Sequence, residues 1–91
     1  MQPLGKALQQ LIKDLGIEHQ VLYHQAILLW PDIVGKRIAM VSSAEKIDHK
    51  ILFVKVTNDS WRNELIYLKR DIIEKLNKRL GRRVIEDIRL Y

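Results

Sequence analysis

Apolar residues between Trp61 and Leu76 recur at intervals of four, three, four and four, and this spacing predicts one long amphipathic helix. Asn58 or Ser60 can cap its first turn, because either side chain can accept a hydrogen bond from a helix N–H group. Gly81 supplies the left-handed conformation that commonly ends a helix. A helix of this kind must bury its apolar stripe against other elements, so it organises the rest of the fold. The stripe consists of Trp61, Leu65, Leu68, Ile72 and Leu76.

Two further helices are predicted before the long one. The first has apolar residues at helical spacing and closes at Gly16; these residues are Leu4, Leu8, Leu11, Ile12 and Leu15. The second runs from about Glu18 to Trp30 and is expected to stop at Pro31, because proline disfavours the α conformation of the residue before it. A short turn capped by Asp32 should follow, with Gly35 allowing a close approach of the backbone.

Three strands complete the predicted domain. Residues 40–47 form a serine-rich strand, residues 48–50 a hairpin turn, and residues 51–56 a strand that is apolar on both faces and therefore an inner one. The last strand contains Val84, Ile85, Ile88 and Leu90, and a crossover through the long helix should lay it parallel to one strand of the hairpin. The order helix, helix, strand, strand, helix, strand predicts an α+β fold with a three-stranded sheet packed by the long helix.

The composition is that of one small globular domain spanning residues 1–91, with 47% hydrophobic and 30% charged residues. The chain has no cysteine, which excludes disulfides and thiolate metal sites. Its longest apolar run, residues 26–30, is far shorter than the roughly 20 residues that span a bilayer. The polar start of the chain does not resemble a signal peptide. We therefore expect a cytoplasmic protein with no membrane partner.

The net charge of +5 is confined to the second half of the chain. Residues 1–45 contain four basic and four acidic side chains, whereas residues 46–91 contain twelve and seven. Such an asymmetry indicates an anionic partner, and nucleic acid is the first candidate.

No catalytic or metal-binding constellation is evident. His19 and His24 are five residues apart, which does not place them on one helical face as a ligand pair, and surface histidines are the simpler interpretation. Gly35 is followed by Lys36 but lacks the further glycine and the Lys-Ser/Thr of a phosphate-binding loop. We expect no enzyme activity, no cofactor, no metal and no small-molecule substrate.

The segment 78–83 concentrates four cations at a helix end and turn. Cations there also favour the helix dipole, and a solvated basic surface is the alternative interpretation. A turn bearing arginines is suited to contact phosphates without recognising bases. The predicted DNA-contacting residues are Lys50, Lys55, Lys78, Arg79, Arg82 and Arg83.

The apolar arc of the long helix is wider than one sheet contact requires. Ile66 and Ile73 lie to one side of the core stripe, with Lys69 between the two groups. The stems of the basic residues can simply cover the core edge. The other interpretation is a partner surface formed by Ile66, Lys69, Arg70 and Ile73, to which Leu4, Leu8 and Leu11 of the first helix can be added.

These features together resemble the DciA family, whose members operate or load the bacterial replicative DNA helicase. The similarity covers about residues 25–90. It is carried by Trp30-x-x-Ile33-Val34-Gly35-x-x-Ile38-Ala39, Leu52-x-Val54-x-Val56, Ser60-Trp61-x-x-Glu64-Leu65, Leu68-x-x-x-Ile72-x-x-x-Leu76-Asn77-x-x-Leu80-Gly81 and Ile85-x-x-Ile88.

The resemblance implies an N-terminal K-homology-like domain that lacks the glycine-clamp loop of that fold. It also implies binding to the hexameric DnaB-type replicative helicase and to single-stranded DNA, help in loading the helicase, and no ATPase activity. Many relatives carry a basic C-terminal extension, so this chain is either a short-form member or a domain of a longer protein. The rivals are a K-homology-like single-stranded nucleic-acid module with no helicase partner, and an interaction domain with no role in nucleic-acid binding.

Overall fold

The computed structural model describes residues 3–91, and the side chain of Leu4, a predicted partner contact, lies outside the described part. The elements are α1 (Pro3–Leu15), α2 (Glu18–Val34), α3 (Lys36–Ala39), β1 (Ser42–Asp48), β2 (Ile51–Val56), α4 (Asp59–Leu80) and β3 (Asp87–Leu90). The predicted α+β order is therefore confirmed, with one additional four-residue helix.

The three strands form one sheet in the order β1-β2-β3. β1 and β2 pair as an antiparallel hairpin with a bulge between Ala44 and Lys46, and β3 lies parallel to β2. β2 is thus the inner strand, and the predicted parallel placement of the last strand is confirmed. A parallel pair needs a long crossover, and α4 provides it.

The hairpin turn lies where the sequence predicts it but has an unexpected conformation. His49 and Lys50 both have positive φ, 50° and 65°. Two consecutive positive φ angles define the turn whose twist matches the paired strands, and that turn usually contains Asn or Gly. The twist of the hairpin therefore outweighs the local preference of these two residues.

α2 does not stop before Pro31, as predicted, but continues through it to Val34. Proline removes one helical hydrogen bond, so a compensating interaction is required. Trp30 supplies it: its side chain is 2% exposed, and its indole N–H donates to Ser42 Oγ at 3.0 Å. Burial of this large ring holds the last turn of α2 against β1.

The predicted turn capped by Asp32 is also wrong, because Asp32 lies within α2. The chain turns instead at Gly35, whose φ of 89° is rarely adopted by other residues. A β-carbon built on Gly35 would meet nothing within 4 Å. Glycine is therefore required there by the backbone angle and not by the predicted close approach.

The core lies between the sheet and two helices, α2 and α4, that pack on one of its faces. Leu52, Val54 and Val56 of β2 are buried on that face. The opposite face of β2 carries half-buried Ile51 and Phe53 and exposed Lys55, so this face is only partly apolar and lies outside the core. The core stripe of α4 is confirmed, with three residues fully buried and Trp61 and Leu68 half-buried.

Both ends of α4 follow the predicted chemistry. Asn58 caps the helix, with its side-chain oxygen accepting a hydrogen bond from the Trp61 N–H at 3.0 Å. Gly81 has the left-handed conformation, φ 81° and ψ 4°, and its N–H donates to the Asn77 carbonyl at 2.9 Å. α4 therefore ends in a defined turn and not by fraying.

The segment after this turn is held by the side chain of Asn77. Val84 and Ile85, predicted to belong to the last strand, precede β3, and both are buried. Their N–H groups donate to Asn77 Oδ1 at 2.9 Å each, and Asn77 Nδ2 donates to the Ile85 carbonyl at 2.9 Å. One amide thus satisfies three backbone groups that have no partner in the sheet.

Asn77→Ala should lower the free energy of unfolding by about 2–4 kcal/mol, because it leaves buried backbone groups without partners. Chemical denaturation monitored by circular dichroism measures the loss. Asn63→Ala is the matched control, since Asn63 is an exposed asparagine on the same helix, and its effect should stay within about 0.5 kcal/mol. Equal effects of the two substitutions would contradict the role assigned to Asn77.

Candidate nucleic-acid interface

Four of the six predicted DNA-contacting residues meet at one end of the molecule. The hairpin turn, the segment after α4 and the first turn of α2 converge there. The N–H of Glu86 donates to the carbonyl of Lys50 at 2.9 Å, which fixes the hairpin turn beside that segment. We call this group the basic end; it consists of Lys50, Lys78, Arg82 and Arg83.

Two cations of the basic end are engaged by carboxylates. Arg82 Nη1 lies 2.8 Å from Glu18 Oε1, and Lys50 Nζ lies 3.8 Å from Glu86 Oε2. All four side chains are between 43% and 53% exposed, so these are surface ion pairs that water and salt weaken. A phosphate group can replace either carboxylate without opening the core.

The other two cations are freer. Within residues 3–91, no carboxylate oxygen lies within 4.0 Å of Lys78 or Arg83. With Arg82, they line a shallow groove of about 500 Å³ beside Gly81. Arg79 is exposed on the last turn of α4, next to Lys78 in the chain. Glu74 also borders the groove, so one carboxylate of the described chain stands there against three cations, two of which are unpaired, and the groove remains positive.

Sequence reasoning missed two aromatic rings beside this charge. His19 and Tyr23 border a small cavity of about 50 Å³ together with Lys50, Arg82 and Arg83. Their rings lie 6.1 Å apart, centroid to centroid. Tyr23 is half-buried, and only the tertiary fold shows that it lies next to the cations.

Lys55 does not join the basic end. It lies at the other end of β2 from Lys50, about 17 Å away at the usual rise per strand residue. Its exposed side chain belongs to the uncovered face of the sheet. Phe53 is its neighbour on that face, and Lys46 and Arg89 lie over the Phe53 ring. Side chains alternate between the two faces of β2, so the sequence already shows that Phe53 and Lys55 share a face. The positions of Lys46 and Arg89 beside Phe53 depend on how the strands pair, which only the structure shows.

The predicted helicase-binding residues lie along one flank of α4. Ile66 is 51% exposed and Arg70 is exposed, whereas Ile73 is half-buried against the core. Lys69 is also half-buried, and its Nζ lies 3.9 Å from Asp87 Oδ1 at the start of β3. Ile66 and Arg70 are therefore accessible to a partner, whereas Lys69 contacts the start of β3 and Ile73 packs against the core.

A second apolar surface lies on α1, whose main packing partner among the described elements is α2. Leu8, Leu11 and Leu15 recur at three and four residues and are all more than half exposed. A helix with such a face usually buries it against another molecule or element. This is the described part of the first-helix surface predicted from the sequence.

Two other properties of residues 3–91 bear on function. No three His, Asp or Glu side chains approach closely enough to hold a metal ion. No helix in this part of the chain combines the length and apolarity needed to cross a bilayer.

Comparison with known proteins identifies a family that this chain matches. Residues 3–90 match the family model described as "Dna[CI] antecedent, DciA". The chain is 25% identical over 88 residues to a UPF0232 protein of Corynebacterium glutamicum, covering 97% of this chain and 49% of the relative. It is 30% identical over 80 residues to a UPF0232 protein of Streptomyces coelicolor, covering 86% and 42%. The chain thus spans about half the length of these relatives.

Glu18→Gln should change the free energy of unfolding by less than about 1 kcal/mol, because the pair it breaks with Arg82 is a surface one. Thermal and chemical denaturation measure this change. A loss as large as that expected for Asn77→Ala would mean that Arg82 is committed to the fold and is not available to a ligand.

Proposed function

The chain belongs to the DciA family, and on that premise we propose that it is a non-enzymatic DNA-replication factor of the cytoplasm. It binds single-stranded DNA and a DnaB-type replicative helicase, and it assists loading of the helicase onto DNA. Two observations support the proposal: the family match over residues 3–90 and the convergence of four cations at the basic end.

DNA binding is assigned to the basic end. Arginine forks and the lysine ammonium are the usual donors to phosphate, and contacts of this type give affinity with little sequence preference. Lys78 and Arg83 supply the first contacts because they have no carboxylate neighbour within 4.0 Å in the described chain. Arg82 exchanges Glu18 for a phosphate when DNA arrives. Arg79 extends the charged surface along the last turn of α4, and Lys55 adds a separate cation on the uncovered face of the sheet.

Helicase binding is assigned to the flank of α4 formed by Ile66, Lys69, Arg70 and Ile73. An exposed isoleucine beside an arginine is the combination that protein interfaces use as an anchor and its charged neighbour. The exposed leucines of α1 form a second candidate surface. The flank shares α4 with the groove of the basic end, and Ile73 borders both, whereas the leucines of α1 lie on a different helix from the groove.

The rival is a K-homology-like module that binds single-stranded nucleic acid without a helicase partner. The basic end fits this function equally well, because phosphate contacts do not depend on the helicase. The two functions differ only in the protein partner, and the helicase experiment below separates them.

Affinity for a single-stranded oligonucleotide should fall with salt, with a slope of log K against log salt of about 0.7 per phosphate contact. Arg82→Gln combined with Arg83→Gln should reduce that slope by about 1.4 and weaken all sequences alike. Fluorescence anisotropy at several salt concentrations measures both. Lys6→Gln combined with Lys13→Gln on α1 is the control with equal charge loss. A salt-independent affinity would exclude DNA binding, and equal slopes for the two double variants would exclude this site.

The immobilised protein should capture the DnaB-type helicase of its own organism. Ile66→Asp combined with Arg70→Asp should weaken capture at least about tenfold, because it places charge at an apolar anchor. Met40→Asp is the control, since Met40 is an exposed apolar residue outside α4. Capture that is lost instead in Leu8→Asp with Leu11→Asp would move the contact to α1. No capture by the unmodified protein would favour the rival function.

A further inference from the structure

The face of the sheet opposite the core is not covered by any helix of residues 3–91. Side chains of alternate residues in each strand point to this face. Five residues of this face lie at the middle of the sheet and at the end away from the hairpin turn, and we call them the open face. They are Lys46 of β1, Phe53 and Lys55 of β2, Arg89 of β3, and Tyr91 directly after β3. Three cations and two aromatic rings thus occupy adjoining positions of one surface.

The register of the sheet places Phe53 between two cations. Lys46 is its partner in the antiparallel pair and Arg89 its partner in the parallel pair. Lys46 Nζ lies 4.9 Å and Arg89 Cζ 5.8 Å from the centre of the Phe53 ring. Phe53 is the only phenylalanine of the chain, and it lies half-exposed outside the core.

Lys55 and Tyr91 form a second pair of a cation and an aromatic ring, next to Phe53 on the same face. The Tyr91 N–H donates to the Val54 carbonyl at 3.0 Å, and its carbonyl accepts from the Val56 N–H at 2.8 Å. These two bonds flank Lys55, so Tyr91 lies beside it on the same face. Tyr91 is 51% exposed and Lys55 is exposed.

Three carboxylates of the described chain lie near the open face. Asp48 and Asp87 lie one row away, beside the hairpin turn; Asp48 contacts His49 at 3.0 Å and Asp87 contacts Lys69 at 3.9 Å. Glu45 lies at the bulge and accepts a hydrogen bond from Ser43 at 3.4 Å. Between Phe53 and Tyr91, three cations thus stand against one carboxylate of residues 3–91, that of Glu45, and this part of the surface is positive.

Cations over an aromatic ring also stabilise a sheet by themselves, and that is the simplest account of Lys46 and Arg89. It does not explain why the chain keeps its only phenylalanine on a solvent face with cations on both sides. A row of cations with rings between them matches the two parts of a single strand of nucleic acid: phosphates for the charges and unstacked bases for the rings.

We propose that the open face is a stacking platform for single-stranded DNA: the exposed side chains of Lys46 and Arg89 move from the Phe53 ring to the phosphates, and one base stacks on the ring that they uncover. The platform rests on the proposed DNA-binding function and adds to it a second, base-stacking contact that the basic end does not provide. Tyr91 and Lys55 receive the next nucleotide. Duplex DNA is not a ligand of the Phe53 ring, because its bases are stacked on one another.

Phe53→Leu keeps an apolar side chain but removes the ring, and it should weaken binding to a thymidine oligonucleotide about tenfold. The salt dependence should not change, since no phosphate contact is lost. Phe53→Tyr restores a ring and should restore affinity. Fluorescence anisotropy measures these changes, and denaturation shows that each variant is folded. Unchanged affinity of Phe53→Leu, or an equal loss for duplex DNA, would overturn the platform.

Lys46→Gln combined with Arg89→Gln gives a second, independent test on exposed side chains. It should reduce the salt slope by about 1.4, whereas Lys6→Gln combined with Lys13→Gln should not change it. A slope equal to that of the unmodified protein would also overturn the platform. If the unmodified protein binds single strands and only the open-face variants are without effect, the basic end alone accounts for binding. If the unmodified protein does not bind, both proposals fail.

The platform is assigned to DNA because the family is linked to replication. The same variants are therefore measured with a uridine oligonucleotide of equal length. Weaker binding of the uridine oligonucleotide supports the assignment, and comparable or tighter binding than that of thymidine would overturn it.

Discussion

The side-chain amide of Asn77 makes three hydrogen bonds to Val84 and Ile85, and the position of β3 depends on them. The segment that connects α4 to β3 contains the buried residues Val84 and Ile85. Their backbone groups bonded to Asn77 have no partner in the sheet, and buried backbone groups need one. Asn77 supplies those partners from inside the last turns of α4. It therefore fixes the turn after α4 and the register in which β3 meets β2.

Both candidate DNA contacts follow from that constraint. The turn carries Arg82 and Arg83 to the hairpin and to α2, where Lys50 and Glu18 lie. The register of β3 sets Arg89 opposite Phe53 on the other side of the sheet. One half-buried, hydrogen-bonded amide thus contributes to the placement of neighbouring cations at two places on the surface.

Much of this fold could be predicted from the sequence because its signals are local. The apolar stripe of α4, the cap at Asn58 and the left-handed Gly81 each depend on residues within a few positions of one another. Pro31 shows where local signals fail. The preference of the residue before a proline predicts that α2 ends there, whereas the burial of Trp30 and its hydrogen bond to Ser42 allow the helix to continue past the proline. That bond joins distant parts of the chain, so no local pattern contains it.

The site could be predicted less well for the same reason. The cations of residues 78–83 were evident as a run, and the fold adds Lys50 to three of them but leaves Lys55 elsewhere. Lys46, Phe53 and Arg89 come from three strands, so only the register of the sheet unites them. NMR chemical-shift mapping with a thymidine oligonucleotide tests the account most directly. It predicts changes at the basic end and across the open face around Phe53. Changes confined to α1 and the Ile66 flank of α4 would contradict it.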